Sequence, residues 1–384
     1  MQEEKMRDAH IALLREEDRA ISEWTARQVH ESITLETMPK SEDPDELPLL
    51  PPPPPPSLER MKGQGCVADG LLSGYGGDTA ESVALINRSN CYYLHRALET
   101  WRKPPDFEEA REIKEKITKP NTLYGMFIAE ALGTDEEYEF PPENREFNFN
   151  DMCGPGSDNF WGEHTCKPSL AREEYRKYVQ YITEQAMDMG IQSFLFGQVF
   201  YQDDPDIQKS EMPKVIERMR EYAAFRGMKI VIGAQTNDIT DSQYLGLFDY
   251  IEGGVGLGED GRVEDGACFS RWWKKPGDWC WALLWHDTYR SKAKNVLVHL
   301  DWSGRQGDDM SVFTRLSPEA RSEALRRLQR YFRSQDVGFL MPLMATLPQS
   351  NGGCSGPSPG FYSASLVYGC ADERVINNLL RNPL

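Results

Sequence analysis

The stretch 295–302, "NVLVHLDW", is apolar until its fifth residue and then carries His299 and Asp301 two positions apart. Alternate side chains of a strand face opposite sides, so Leu297, His299 and Asp301 share one face, and Val296, Val298 and Leu300 the other. Two ionisable groups on one face of an apolar strand are tolerated near its end, where water or a ligand satisfies them. The same alternation pairs His95 with Glu99 in "CYYLHRALE" and Tyr250 with Glu252 in "DYIEGG". Other apolar runs end at Asp69, at Glu130, at Gln198 and at Gln235, the last followed by Asn237 and Asp238. Aromatic residues cluster at the same ends: Trp101, Trp161, Phe200, Tyr201, Trp272, Trp273 and Trp302. Neighbouring carboxyl groups support proton transfer or nucleophilic attack. Amides and flat aromatic faces beside them suit a polyhydroxylated ligand, whose C–H face stacks while its hydroxyls need directional partners.

Positioning so many polar strand ends together requires a regular scaffold. Short β-rich runs alternate with longer helical patterns along the chain. The runs are "GCVADGL", "CYYLHRALE", "TLYGMFIAE", "QSFLFGQVF", "KIVIGAQ", "DYIEGGVG", "NVLVHLDW" and "VGFLMPLMA". Helical stretches include "DTAESVALINR", "DFEEAREIKEKI", "LAREEYRKYVQYITEQAMDMG", "EMPKVIERMREYAAFRG" and "SPEARSEALRRLQRYFRSQ". Parallel neighbours need crossover helices, so the alternation predicts an α/β fold, a closed (β/α)8 TIM barrel over residues 60–384. A doubly wound sheet is the alternative, but "SGYGGDT" is too irregular for its glycine-rich phosphate turn. Long connections leave the third, sixth and eighth runs, at about 131–170, 255–278 and 346–369. They gather at the carboxyl face, where barrel enzymes place their sites.

Ahead of the barrel, residues 1–40 read as a helical segment with Ile11, Leu14, Ile21, Trp24 and Val29 near helical spacing. Residues 41–59 form an acidic, proline-rich linker. The helix is a candidate docking arm for a protein partner. A formal net charge of −18 opposes nucleic acid and anionic lipid as partners. No run reaches the ~18 apolar residues of a spanning helix, so membrane insertion is not expected.

Cysteines stand at 66, 91, 153, 166, 268, 280, 354 and 370, without a CxxC pair, so no metal knuckle is expected. Close spacing favours disulfides 153–166, 268–280 and 354–370, leaving 66 with 91, although connectivity is not fixed by sequence. Oxidised cysteines imply an extracellular or cell-surface setting, with a signal sequence not present in this chain. Asn87-Arg88-Ser89 is a glycosylation sequon, a triplet common by chance.

Cleaving a glycosidic bond takes one carboxyl group to protonate the leaving oxygen and a second as nucleophile or base. Glu130 and Glu252, three strands apart, are the first pair, and Asp301 is the third catalytic candidate, with His299 orienting it or binding a hydroxyl. Asp69, His95, Glu99, Trp101, Gln198, Tyr201, Gln235, Trp272, Trp273, His299 and Trp302 are the candidate substrate-binding residues. The expected ligand is a carbohydrate, with no cofactor and no metal. The arrangement resembles glycoside-hydrolase-like TIM barrels over residues 60–384, in architecture and rim composition but not in any one family motif. The commonest retaining members of that group end strand four in Asn-Glu and strand seven in Glu, where this chain has Gly197-Gln198 and His299-Leu300-Asp301.

Two other functions compete. One is a non-catalytic glycan-binding or cell-surface barrel. The other is a metal-dependent hydrolase built on His95, His299, Asp301 and Glu252, which lacks the HxH pair of metal-dependent amidohydrolase barrels. Several residues have plainer readings. Asp203 and Asp204 precede Pro205 and suit a turn, His95 suits a satisfied core histidine, and Trp279, Trp281 and Trp285 suit helix packing. "NGGCSGPSPG" suits a disulfide-tied loop better than a phosphate cradle.

Overall fold

The computed structural model describes residues 53–236, 239–258, 261–263, 295–302, 308–347 and 353–381. They belong to one compact unit, Pro52–Leu384. The expected N-terminal helix lies outside the described residues, as do most of the proline linker, Asn237, Asp238, Cys268, Trp272, Trp273, Trp279, Cys280, Trp281 and Trp285. Leu58 and Glu59, read as the linker's end, instead open helix α1, Leu58–Gln64, because the Ser57 hydroxyl caps it by accepting from the Arg60 amide.

All eight expected runs are strands. They are β1 (Gly65–Ala68), β2 (Tyr93–Leu98), β3 (Leu123–Ile128), β4 (Ser193–Phe196), β5 (Val231–Ala234), β6 (Tyr250–Gly254) and β7 (Val296–His299). The last run is split into β8 (Gly338–Phe339) and β9 (Met341–Thr346), and β10 (Phe361–Ser363) comes after it. Their residues are almost all buried, as expected for a parallel sheet covered on both faces. The sheet runs β8-β7-β6-β5-β4-β3-β2-β1-β9-β10, parallel except for β9 with β10. Only Leu340 separates β8 from β9; its amide donates to the Val298 carbonyl at 2.8 Å, while Met341 pairs with Cys66 of β1. One stretch of chain thus bonds β7 through its first half and β1 through its second, and the sheet is strongly curled.

Helices lie between the strands where the sequence placed them, α2 (Thr79–Arg88), α3 (Phe107–Glu115), α4 (Glu173–Asp188), α5 (Met212–Phe225) and α7 (Pro318–Arg333), joined by α6 (Asp309–Arg315) after β7 and α8 (Glu373–Arg381) after β10, which were not among the stretches quoted from the sequence. Side-chain caps fix several starts: Asp78 accepts from Glu81, Asp106 from Glu108 and Glu109, and Ser317 from Ala320. The inner faces meet in layers. The hydroxyls of Tyr93 on β2, Ser193 on β4 and Tyr250 on β6 lie 3.2–3.3 Å apart. Contributions from alternate strands to one layer are the packing rule of a parallel barrel interior. Gly233 on the intervening β5 leaves room, since a Cβ there would stand 2.2 Å from the Tyr250 ring.

Disulfides join Cys153 to Cys166 and Cys354 to Cys370, two pairs that spacing favoured, and Cys66 to Cys91, the pair left over. The long connection after β3 is itself folded. Its Leu132–Gly133 and Thr165–Cys166 pair antiparallel, and Tyr138, Phe140 and Phe147 pack on Tyr178 and Tyr181 of α4. Asp203 behaves as a turn residue, accepting from Ser210, Glu211 and Tyr244. The Asn87 amide of the sequon is tied down as well, accepting from the Thr118 and Lys119 amides and donating to the Lys116 carbonyl.

Candidate active site at the carboxyl ends of the strands

Directly above the Tyr93–Ser193–Tyr250 layer, the next inward residues of β2, β6 and β7 converge. His299 Nδ1 is in direct contact with Glu252 Oε1, and His95 Nε2 stands 3.7 Å from the same oxygen. All three side chains are at most 1 % exposed. The other carboxylate oxygen, Oε2, accepts from Gln235 Nε2 at 2.8 Å. Burial alone would raise the Glu252 carboxyl, but His299, His95 and Gln235 outweigh it and hold it down at about 2. Burial likewise lowers His95 to about 3, against the pull of Glu252. Glu252 is therefore an anion and His95 a neutral imidazole.

A hydrogen-bonded path leads from Glu252 to the other principal carboxyl group. Gln235 Oε1 accepts from the Gln198 amide at 3.3 Å, and Gln198 Nε2 donates to Glu130 Oε1 at 2.7 Å. Glu130, at the end of β3, is 2 % exposed, and its Oε2 has no hydrogen-bond partner. Burial is the main force on it and pushes the carboxyl above the usual carboxylate range, with the Glu252 charge adding to the shift. Gly197 makes this seat possible, because a Cβ there would lie 2.1 Å from Glu130 Oε2 and 2.6 Å from the Phe127 ring. The two carboxyl groups are thus driven apart in protonation, Glu130 towards neutral and Glu252 towards charged.

Asp69, Glu99 and Arg96 form a third group. Alternation placed Glu99 inward with His95, but Arg96 adopts φ 55° and the β2 register shifts between Leu94 and Leu98. The Arg96 Nε donates to Glu99 Oε1 at 2.6 Å and lies 3.9 Å from Asp69 Oδ1. Its guanidinium sits over the Phe127 ring at 3.8 Å and the Trp302 ring at 4.6 Å. Burial opposes the charge on Arg96, yet Glu99 and Asp69 more than offset it and raise its pKa. The Glu99 carboxyl is pushed well up by burial, against the pull of Arg96. Asp69 Oδ2 also accepts from the Thr346 amide, tying the end of β1 to β9.

Asp301 is 2 % exposed at the end of β7, with its amide donating to Asp309 Oδ2. Asp309, which the sequence did not single out, also accepts from the amides of Val255, Gly256 and Leu257, so it fixes the ends of β6 and β7 together. Trp302 is 7 % exposed, its ring 4.6 Å from that of His299, so it packs the site as well as flanking it.

Beside Glu130 stands an aromatic cluster. Trp161 Nε1 donates to the Glu130 carbonyl at 3.0 Å. Trp161 meets Trp101 at 5.4 Å, Phe160 at 4.8 Å and Tyr201 at 5.6 Å, all edge to face. Trp101 and Phe160 are 36 % and 46 % exposed. Arg96 and Asp309 carried no local signal: one needed a left-handed backbone, the other contacts with residues more than fifty positions away.

No family model and no curated protein matches the chain. Solved structures that it resembles include a GH27 β-L-arabinopyranosidase from Geobacillus stearothermophilus, at 11% identity and TM-score 0.31, covering 51% of this chain and 54% of that one. The chain thus spans about half the length of that relative. The cyclic α-maltosyl-(1→6)-maltose hydrolase from Arthrobacter globiformis is 12% identical, with 89% and 80% covered and TM-score 0.47. A GH113 β-1,4-mannanase is 13% identical, with 82% and 95% covered and TM-score 0.43. All three are glycoside hydrolases by name; likeness at this level decides neither the fold nor the activity of this chain.

Proposed function

We propose that the chain is a closed (β/α)8 barrel acting as a glycoside hydrolase, with Glu130 as proton donor. Closure is supported by the β8–Leu340–β9 stretch, which hydrogen-bonds β7 and β1 in turn. The observation that carries the function is a buried carboxyl group with a raised pKa beside a partly exposed aromatic cluster, joined through the Trp161–Glu130 hydrogen bond. An aromatic face stacks on a sugar ring, and a protonated carboxyl group beside it supplies the proton that a departing glycosidic oxygen requires. In this reading Glu130 gives its proton to the leaving oxygen as the C–O bond breaks. Water on the side of Glu252, His299 and His95 attacks the anomeric carbon, its oxygen forming the new C–O bond while its proton passes to the Glu252 carboxylate. Asp301 remains a third candidate carboxylate, and Gln198 and Gln235 hold the two principal ones in register.

Asp69, Glu99, Trp101, Tyr201 and Trp302 fill the binding role of this reading, Trp101 and Tyr201 within the aromatic cluster. A net charge of −18 favours a neutral glycan over an anionic one. The disulfides support an oxidising, extracellular compartment. Among the described residues no helix is long and apolar enough to cross a membrane.

Reducing-sugar release on a panel of neutral polysaccharides and oligosaccharides tests the reading. Turnover by the unmutated protein should fall ~10²–10⁴-fold in Glu130→Gln, with glycan binding retained. Trp101→Ala should mainly raise KM. One observation favours the competing glycan-binding barrel: Glu130 and Glu252 are 2 % and 0 % exposed, whereas Trp101 and Phe160 are open. Binding without turnover across the panel would establish that alternative and remove the hydrolase.

A further inference from the structure

The polar atoms around Glu252 form an unusual set. Among the described residues, His95, Glu252 and His299 each offer one metal-ligating atom, and the three atoms all lie within 4.8 Å of one another. They come from three strands, β2, β6 and β7, so the strand frame rather than one flexible loop sets their spacing. His95 Nε2, Glu252 Oε1 and His299 Nδ1 are buried, and none makes a hydrogen bond of good geometry. Buried polar atoms are otherwise paired in folded proteins, and an orphan of this kind costs about 1–3 kcal/mol. His95 Nε2 is an orphan of this kind, and Glu252 Oε1 and His299 Nδ1 have only their contact with each other, so the three buried ligand atoms facing one another call for a common partner.

We infer that His95, Glu252 and His299 hold a divalent transition-metal ion, with zinc the best match. Two imidazole nitrogens and one carboxylate oxygen suit zinc or a neighbouring first-row ion, whereas calcium and magnesium prefer shells of oxygen. Three protein ligands also leave a coordination position open, the pattern of a catalytic rather than a structural site.

The surroundings fit that role. A ligating histidine usually has its second ring nitrogen tied, and a ligating carboxylate its second oxygen. Here Tyr93 Oη stands 3.1 Å from His95 Nδ1, and Gln235 Nε2 donates to Glu252 Oε2 at 2.8 Å. With the Nδ1–H tautomer assigned to His95, its Nε2 presents a lone pair towards Glu252 Oε1. Two such electron-rich atoms 3.7 Å apart in a dry interior repel unless a cation lies between them.

The inference goes beyond the hydrolase reading and does not require it. Joined to that reading, the ion supplies the water-activating half of the site in place of a bare carboxylate, and Glu130 stays the proton donor.

The test uses the full chain, stripped with a chelator and titrated with Zn²⁺ alone and, separately, with Co²⁺. Expected are about one zinc per chain by elemental analysis, a higher thermal midpoint with Zn²⁺, and a visible Co²⁺ absorption band from a low-coordinate nitrogen and oxygen site. His95→Gln and His299→Gln should each weaken zinc binding by ~100-fold or more. Glu252→Gln, which keeps the side-chain shape, supplies the same readout should a histidine variant fail to fold by circular dichroism. No stoichiometric metal on the unmutated chain, or undiminished affinity in all folded variants, overturns the inference. The Glu130→Gln turnover assay is unaffected by that failure, and a protein that binds zinc but cleaves no glycan would sink the hydrolase reading alone.

Discussion

Two buried polar clusters in this molecule differ in one respect that separates structure from chemistry. Arg321 on α7 and Asp372 beside α8 are each 2 % exposed in their side chains. Arg321 Nε donates to both oxygens of Asp372, at 3.1 and 2.8 Å, and its terminal nitrogens donate to the carbonyls of Leu316 and Cys370. Tyr362 Oη completes the shell by donating to Asp372 Oδ2 at 3.0 Å. At the strand ends, by contrast, Glu130 Oε2, Glu252 Oε1, His95 Nε2 and His299 Nδ1 are equally buried and lack hydrogen bonds. The first cluster is closed and staples the disulfide-tied segment after β9 to α7. The second keeps unsatisfied valences, which a native fold tolerates mainly where a substrate, ion or proton is to be received.

Breaking the closed cluster should give the largest loss of stability. Arg321→Leu leaves the Asp372 carboxylate buried without its cation, at a cost of about 3–5 kcal/mol. Urea unfolding of this variant beside Arg321→Leu/Asp372→Leu sharpens the comparison, because removing both charges should recover much of the loss. Equal loss in the two variants would mean that packing of the long side chain, and not the ion pair, dominates.

An intermediate effect is expected at Gly197. A methyl group there would press on Glu130 Oε2 and on the Phe127 ring, at 2.1 and 2.6 Å. Overpacking of this kind costs about 1–3 kcal/mol, and here it also displaces Glu130, the proposed proton donor. Gly197→Ala should therefore lose turnover together with stability, whereas Arg321→Leu should lower the thermal midpoint and leave turnover per folded molecule unchanged. Loss of turnover in both variants alike would dissolve the distinction between the two clusters.

The sequence carried most of what the strands decide. Period-two alternation on continuous apolar runs is enough to identify the inward set His95, Glu252 and His299, because a parallel strand buried on both faces has few other places for an ionisable group. Alternation fails beyond a backbone irregularity. Arg96 at φ 55° breaks the β2 register, so Glu99 meets an arginine that alternation assigns to the opposite face. Asp309 was invisible for another reason, since its carboxylate gathers amides from Val255, Gly256 and Leu257, and no local pattern announces contacts across that separation. Trp302 was legible as a neighbour of the site but not as one held beneath Arg96 and against His299.

The smallest effect should appear in the open cluster, and with the opposite sign to the closed one. Burial raises the Glu130 carboxyl in the folded chain above its value in the unfolded one. Between those two values the folded state binds more protons, so stability is greatest on the acid side and declines as pH rises through the window. Glu130→Gln removes the ionisation and with it this decline, while the amide can still accept from Gln198 Nε2. Thermal melts from pH 4 to 9 should therefore show the variant at least as stable as the parent at neutral pH, by up to ~1 kcal/mol, and matched to it in acid. A variant less stable than the parent throughout that range would mean that Glu130 is held in place for the fold, and the contrast with Arg321 and Asp372 would lose its strongest member.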